Sequence, residues 1–451
     1  MLIHVVREGE SIQSIADYYG ISAARLIQDN GLEYPADLVT GQSLVIVYPE
    51  LTYIVQQGDT LVGIANSFNV SLMQLFRNNP YLADRDYMYP GDIIVIRYNT
   101  GGRITTHGNT LPYIDKRVLK KTLPYLTYLS ILNYTATAEG EIITYYDDSE
   151  IIQMAKECGV MPLMLLTTLT LQGEANIAIT FDILLNEDFQ QRQIGNILDI
   201  LRTKGYYGVN LSFENISVST LPLYESYFTR LAERLDDEGF LVFTTISSNI
   251  TSSSDEISFE KVDYAVLERL SRNIIFMDYQ WATNTNPPSP ITSIHETDIF
   301  LDYISGFIPS MKVVIGLAAI GYDWELPFAA GLSSVYCLTP ERAVDLARNV
   351  GAEIQFDEVS QTPFFTYMVN KGGNQLAHIV WFIDARTINA LLDLILKYAL
   401  HGIGIWNITI YNPQLWLIIN SQYEIEKFMD LSSEQEFSCL LENKGPSFTY
   451  I

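Results

Sequence analysis

The segment Tyr207-Gly-Val-Asn-Leu-Ser-Phe-Glu214 carries polar side chains at every second position, Asn210, Ser212 and Glu214, interleaved with Val209, Leu211 and Phe213. Side chains alternate between the two faces of an extended chain, so the apolar set points one way and the polar set the other. A buried polar row is costly unless its members find partners. A row that ends on a carboxylic acid has the makings of a general acid/base centre. On position alone, a glutamate at a strand end that merely meets solvent is the alternative.

Metal chemistry is not signalled. His4, His107, His295, His378 and His401 are scattered, and Cys158, Cys337 and Cys439 show no CxxC spacing. The cysteines therefore read as buried or incidental thiols, with neither a zinc site nor a disulfide framework. No cofactor is implied.

An element pattern that could position Glu214 surrounds it. Short β-rich runs at Ile104–Asn109, Thr127–Tyr134, Met161–Thr167, Gly208–Phe213, Leu241–Ser247, Asn273–Tyr279, Lys312–Ala318 and Gly402–Trp406 alternate with helical stretches such as Asp188–Thr203 and Leu221–Glu238. That alternation predicts an α/β fold, a (β/α)8 TIM barrel over residues 104–431. A small α+β insertion, strand-like and aromatic, is expected at about 352–382, between strands seven and eight. In such barrels chemistry sits at the carboxyl ends of the strands, where Glu214 falls. Residues 432–451 read as a polar tail with few apolar anchors.

Ahead of the barrel the chain repeats itself. A shift of about 49 residues brings Val6 onto Val55, Gly9 onto Gly58, Ile15 onto Ile64, Leu26 onto Leu75 and Asn30 onto Asn79. One extra residue in the second copy then brings Gly41 onto Gly91. Each copy, residues 1–48 and 52–98, reads strand, helix, helix, strand. Ser11 and Thr60 precede apolar residues at helical spacing, as do Ser22 and Ser71, and all four suit helix N-caps. Asn99-Thr-Gly-Gly-Arg103 reads as the linker to the barrel.

Composition narrows the partners. The formal charge of −26 disfavours phosphate backbones and anionic lipid surfaces, so neither nucleic acid nor membrane is an expected partner. Aromatic residues make up 12% of the chain, which suits sugars with flat apolar faces. The N-terminus lacks a basic region followed by a long apolar stretch, and no run reaches the ~20 apolar residues that span a bilayer. Neither a secretory signal nor a membrane anchor is expected.

The two repeats resemble LysM modules, whose V-x-x-G-[DE]-[ST] opening, I-A pair, L-x-x-x-N and G-x-x-[IL] both copies match. LysM modules bind N-acetylglucosamine-containing glycans such as peptidoglycan or chitin. The resemblance places a groove at Gly9, Ser11 and Asn30 in the first repeat and at Gly58, Thr60 and Asn79 in the second. Simple turn and cap chemistry is the competing reading of each of these residues.

The barrel resembles glycoside hydrolase family 18. Asn210 to Glu214 looks like the family's D-x-D-x-E, and Met277-Asp-Tyr279 is similar to its Met-x-Tyr. Trp406 looks like the strand-eight tryptophan that floors a sugar subsite. Gly316–Pro327 and Val380–Arg386 resemble the LysM-bearing branch of spore cortex-lytic glycosidases, which often carries Asn at the position of Asn210. The resemblance implies hydrolysis in which the substrate's own acetamido oxygen is the nucleophile. Glu214 would be the acid, Tyr279 the partner of the acetamido group and Trp406 the platform. Asn210 and Ser212 would complete the polar row, with Met277, Gln280, Tyr322 and Asp323 lining the cleft. It also implies a spore-associated location, cortex or coat, reached without a signal peptide; otherwise a cytoplasmic one.

Two residues depart from the family pattern. Ser212 stands where an aspartate orients and charges the acetamido group, and Gln280 follows Tyr279 where an acidic residue is usual. Loss of one preorganised electrostatic partner costs about 10²–10³ in rate. Without the inner carboxylate, Glu214 also spends less time protonated at neutral pH. Two functions therefore stay open: a glycosidase, active or slow, and a glycan-binding or spore-coat protein whose barrel has lost the chemistry.

Overall fold

The computed structural model describes residues 1–33, 37–85, 87–168, 177–212, 216–248, 250–252, 257–277, 287–371, 373–428, 431, 435–436 and 439–440. Two βααβ units come first. In repeat 1, strand Leu2–Val5 pairs antiparallel with Ser43–Ile46, with helices Ile12–Tyr19 and Ala23–Asn30 between them in sequence. Ser11 accepts from the Ser14 amide while its own N–H donates to Ser14 Oγ, a reciprocal cap that stabilises such a helix by about 1 kcal/mol. Val6, Ile15, Ala16, Leu26, Leu44 and Ile46 form a small separate core. Repeat 2 has the same build: strands Leu51–Ile54 and Ile93–Arg97, helices Leu61–Phe68 and Leu72–Asn78, and caps at Thr60 and Ser71.

Eight parallel strands follow and close on themselves. They are Arg103–Thr110, Tyr128–Ala136, Met161–Thr167, Gly208–Ser212, Leu241–Ile246, Asn273–Phe276, Val313–Ala318 and Gly402–Trp406. Strand eight pairs with strand one from Gly402↔Thr105 to Trp406↔Asn109, which closes the barrel. The interior is layered. His107 stacks on Tyr128 and meets Phe243 edge-on at the amino-terminal end, where Leu163 also packs. Leu132, Leu165, Ile275, Met277, Val314 and Trp406 fill the layer nearer the carboxyl ends. Among the described residues no helix is long and apolar enough to cross a membrane.

Three sequence expectations need correction. The insertion begins at Gly321, not near residue 352. Strands Gly321–Leu326, Val335–Leu338, Gln355–Asp357, Thr362–Lys371 and Asn374–Phe382 make one five-stranded antiparallel sheet, which helix Pro340–Val350 covers. Gly321–Leu326 pairs with residues 377–382, far along the chain, so the sheet cannot be seen in a local window.

The cysteines are not all free. Cys158 and Cys439 form a disulfide across a separation of 281 residues, and Cys337 is the free thiol. The described residues of the tail are likewise anchored: Cys439 and Leu440 are buried, and Glu436 accepts a hydrogen bond from the Leu72 amide of repeat 2.

The repeats are docked on the barrel, not merely linked to it. Gly101 of the linker donates to Gln422 O, Gln414 donates to Asn30 Oδ1 and Ser43 O, and Asn420 donates to Asn78 Oδ1.

Candidate active site

Strand four, Gly208–Ser212, carries the first two residues of the polar row, Asn210 and Ser212. Val209 and Leu211 belong to the core under the outer helices, while Asn210 points into the barrel and is 0% exposed. Its amide donates to Ser130 Oγ at 3.1 Å, and its carbonyl oxygen accepts from Thr245 Oγ1 at 2.9 Å. Asn210 is thus tied to strands two and five. Two residues further on, Ser212 lies in register with Thr167 of strand three and Thr245 of strand five, at the carboxyl end of the sheet and half-buried. Hydroxyls surround the place where the family pattern puts a carboxylate. Glu214, Tyr279 and Gln280 lie outside the described residues.

Trp406 ends strand eight, paired with Ala318 and Asn109 at the same rim. It is 6% exposed and belongs to one buried cluster with Met277, Ile275 and Leu132. Met277 is 1% exposed in the same cluster, a packed position beneath the rim. The place of the Met277 side chain demands glycine on strands seven and eight. A Cβ at Gly316 would lie 2.6 Å from the Met277 side chain, and one at Gly404 would lie 3.0 Å from Met277 Cε. Asn109 donates to Ile405 O at 3.2 Å and its backbone carbonyl accepts from Ile408 N at 3.0 Å, which fixes the chain on both sides of Trp406.

Two expected cleft residues sit in the insertion sheet on opposite faces. Tyr322 is buried beside Trp324 in the main core. Asp323 is 5% exposed, and both its oxygens are taken: Tyr367 Oη donates at 2.6 Å and His378 Nδ1 lies at 2.9 Å. Asp323 therefore ties strands Gly321–Leu326, Thr362–Lys371 and Asn374–Phe382 of the insertion together. Burial, then the bond to Asp323, raises the Tyr367 pKa.

In the repeats, Gly9, Gly58 and Ser11 are exposed and Thr60 is half-exposed, the two glycines at positive φ in the turn before the helix. Ser11 and Thr60 spend an oxygen lone pair on capping. Asn30 and Asn79 are different. Asn30 donates to Leu26 O and Val45 O and accepts from Val45 N and Gln414 Nε2. Asn79 repeats the pattern with Leu75 O, Val95 O and Val95 N, and is fully buried. Each clamps a helix end to the closing strand, so their expected contact with glycan is corrected: they hold the repeat together.

Residues that sequence reasoning passes over are Ser130, Thr245 and Asn109. Their signal is the same as that of Asn210, a polar residue at an inward position, but only the closed barrel shows which of them face each other.

A closed parallel barrel with an antiparallel insertion after strand seven, an indole on strand eight and a polar row on strand four defines a glycosidase-type barrel behind two small glycan-binding-type repeats. The model of glycosyl hydrolases family 18 matches residues 167–410, and the LysM domain model matches residues 4–47 and 53–97. The chain belongs to glycosyl hydrolases family 18 and carries two LysM domains. It is 29% identical over 422 residues to the putative sporulation-specific glycosylase YdhD of Bacillus subtilis, a match covering 93% of this chain and 98% of that protein. To the cortical fragment-lytic enzyme of Bacillus anthracis it is 28% identical over 431 residues, covering 94% and 99%. The crystal structure of the Bacillus megaterium spore cortex-lytic enzyme SleL superposes with a TM-score of 0.75 at 28% identity, covering 95% of this chain and 99% of that one.

Proposed function

We propose that this protein binds spore-cortex peptidoglycan and hydrolyses its β-1,4 bonds next to N-acetylglucosamine, with retention of configuration and the substrate's own acetamido oxygen as nucleophile. The observation that carries this reading is the end-to-end likeness to cortex-lytic relatives, which runs through repeats and barrel together. Glu214 protonates the leaving oxygen and then activates water. Tyr279 hydrogen-bonds the acetamido group, Trp406 stacks beneath the distorted sugar, and Ser212 with Asn210 forms the polar seat. This chemistry calls for no metal or cofactor. A disulfide persists outside the reducing cytosol, which agrees with a final place in the spore.

Ser212 favours a second reading, in which the cleft is kept but the chemistry is impaired. A hydroxyl can accept the acetamido N–H, yet it offers no negative charge to the developing oxazolinium ion. The test is release of reducing ends from cortex fragments. Wild type should release them, and Glu214→Gln should be slower by about 10² or more. Equal rates would remove the hydrolase reading.

A further inference from the structure

The two repeats share one hydrogen-bond frame, so they can be compared position by position. Gly41 N donates to Val6 O as Gly91 N does to Val55 O, and Gln42 N donates to Val39 O as Asp92 N does to Tyr89 O. The Val39 amide is held by Gln42 Oε1 as the Tyr89 amide is held by Asp92 Oδ2. Val39 therefore corresponds to Tyr89, and Asp37 to Tyr87. This is the loop that enters the last strand.

In repeat 1 residues 37–41 of that loop are taken up by the insertion. Val39 is 5% exposed and packs among Ala343, Ala347, Phe365, Val380 and Phe382. Arg348 donates to Asp37 O at 2.7 Å, the Ile354 amide to Thr40 O at 2.9 Å, and Arg386 to Gly41 O at 3.2 Å. A Cβ at Gly41 would strike Ile354 O at 1.8 Å. The cavity of about 260 Å³ beside this contact has no wall from residues 7–11, so it is not a groove between the two loops of the repeat.

In repeat 2 the same loop is open. A Cβ at Gly91 would meet nothing within 4 Å. Tyr87 and Tyr89 are 41% and 52% exposed, with their rings edge-on at 4.7 Å. Repeat 2 docks instead through helix Leu72–Asn78, where Arg77 donates to Pro124 O and Tyr125 Oη donates to Arg77 O.

We infer that repeat 2 is the module that holds glycan, with Tyr87 and Tyr89 as its stacking platform, and that repeat 1 has been given over to fixing the insertion on the barrel. The inference rests on the proposed peptidoglycan target. Tyrosine suits the task because its ring covers the apolar face of a pyranose while its hydroxyl reaches the sugar's rim. Val39 has no such surface left to offer.

The test is sedimentation of the full chain with purified insoluble peptidoglycan, with Glu214→Gln as background so that the polymer stays intact. Tyr87→Ala/Tyr89→Ala should weaken pelleting by about tenfold or more, and Tyr87→Phe/Tyr89→Phe should retain it. Val39→Ala should lower the melting temperature yet leave pelleting unchanged. Undiminished pelleting in the alanine pair, loss of pelleting in Val39→Ala with an unchanged melt, or no pelleting by the background protein overturns the assignment. Hydrolysis is read separately on soluble fragments, so a failed platform and a failed glycosidase give different results.

Discussion

Replacing Ser212 by aspartate returns the charge that the family pattern places on strand four. The position can receive it: Ser212 is half-buried at the carboxyl end, flanked in register by the hydroxyl residues Thr167 and Thr245, and Asn210 beneath it is already paired. A carboxylate there faces hydroxyls and not a hydrocarbon wall, which limits its desolvation. Two effects should follow. A preorganised negative charge beside the developing cation contributes about 10²–10³ in kcat. A carboxylate at position 212 is also a like charge close in sequence to Glu214, and like charges disfavour each other's ionisation. That repulsion favours the protonated form of Glu214, so the alkaline limb of the pH–rate profile should move up. The assay is kcat and kcat/KM for reducing-end release from soluble cortex fragments between about pH 4 and 8. Ser212→Asn serves as the control of similar size without charge and should show neither effect. If Ser212→Asp is no faster than wild type and its alkaline limb stays in place, the missing charge is not what limits this barrel.

Asn210→Ala removes the shared partner of Ser130 and Thr245 and leaves a buried void; a loss of about 2–4 kcal/mol is expected in urea unfolding, and a loss below about 0.5 kcal/mol would show that the bridge carries no stability. Cys439→Ser should cost about 2–5 kcal/mol by reopening a 281-residue separation, and its melt should no longer respond to reductant as that of wild type does. Burial, then the nearby Arg272 charge, pushes the His401 pKa down to about 4. The unfolded chain takes up this proton near pH 6.5 while the folded chain does not. The His401 contribution is therefore full above 6.5 and falls by about 3 kcal/mol as the pH drops toward 4. A flatter decline in His401→Gln, followed by calorimetry across that range, is the expected result, and identical profiles would refute it.

What the sequence makes legible follows from the range of the interactions. Barrel strands three and eight end where local alternation and flanking turns put them, at Met161–Thr167 and Gly402–Trp406. The start of the insertion is hidden, because Gly321–Leu326 becomes a strand only by pairing with residues 377–382. Asn30 and Asn79 resemble ligand contacts because an asparagine after a helix looks the same whether it faces solvent or clamps the closing strand. Asp323 looks available until Tyr367 and His378 are brought to it from two other strands.

By itself the chain determined its periodicities, its duplication and the inward direction of Asn210 on strand four, since each depends on neighbours within a few residues or on comparing the chain with itself. Tertiary structure alone decided the Cys158–Cys439 bond, the burial of Val39 in the insertion and the exposure of Tyr87 and Tyr89. These depend on which surfaces meet when distant segments close on one another. Two copies of one motif, closely alike as sequence, thereby came to differ in what they can touch.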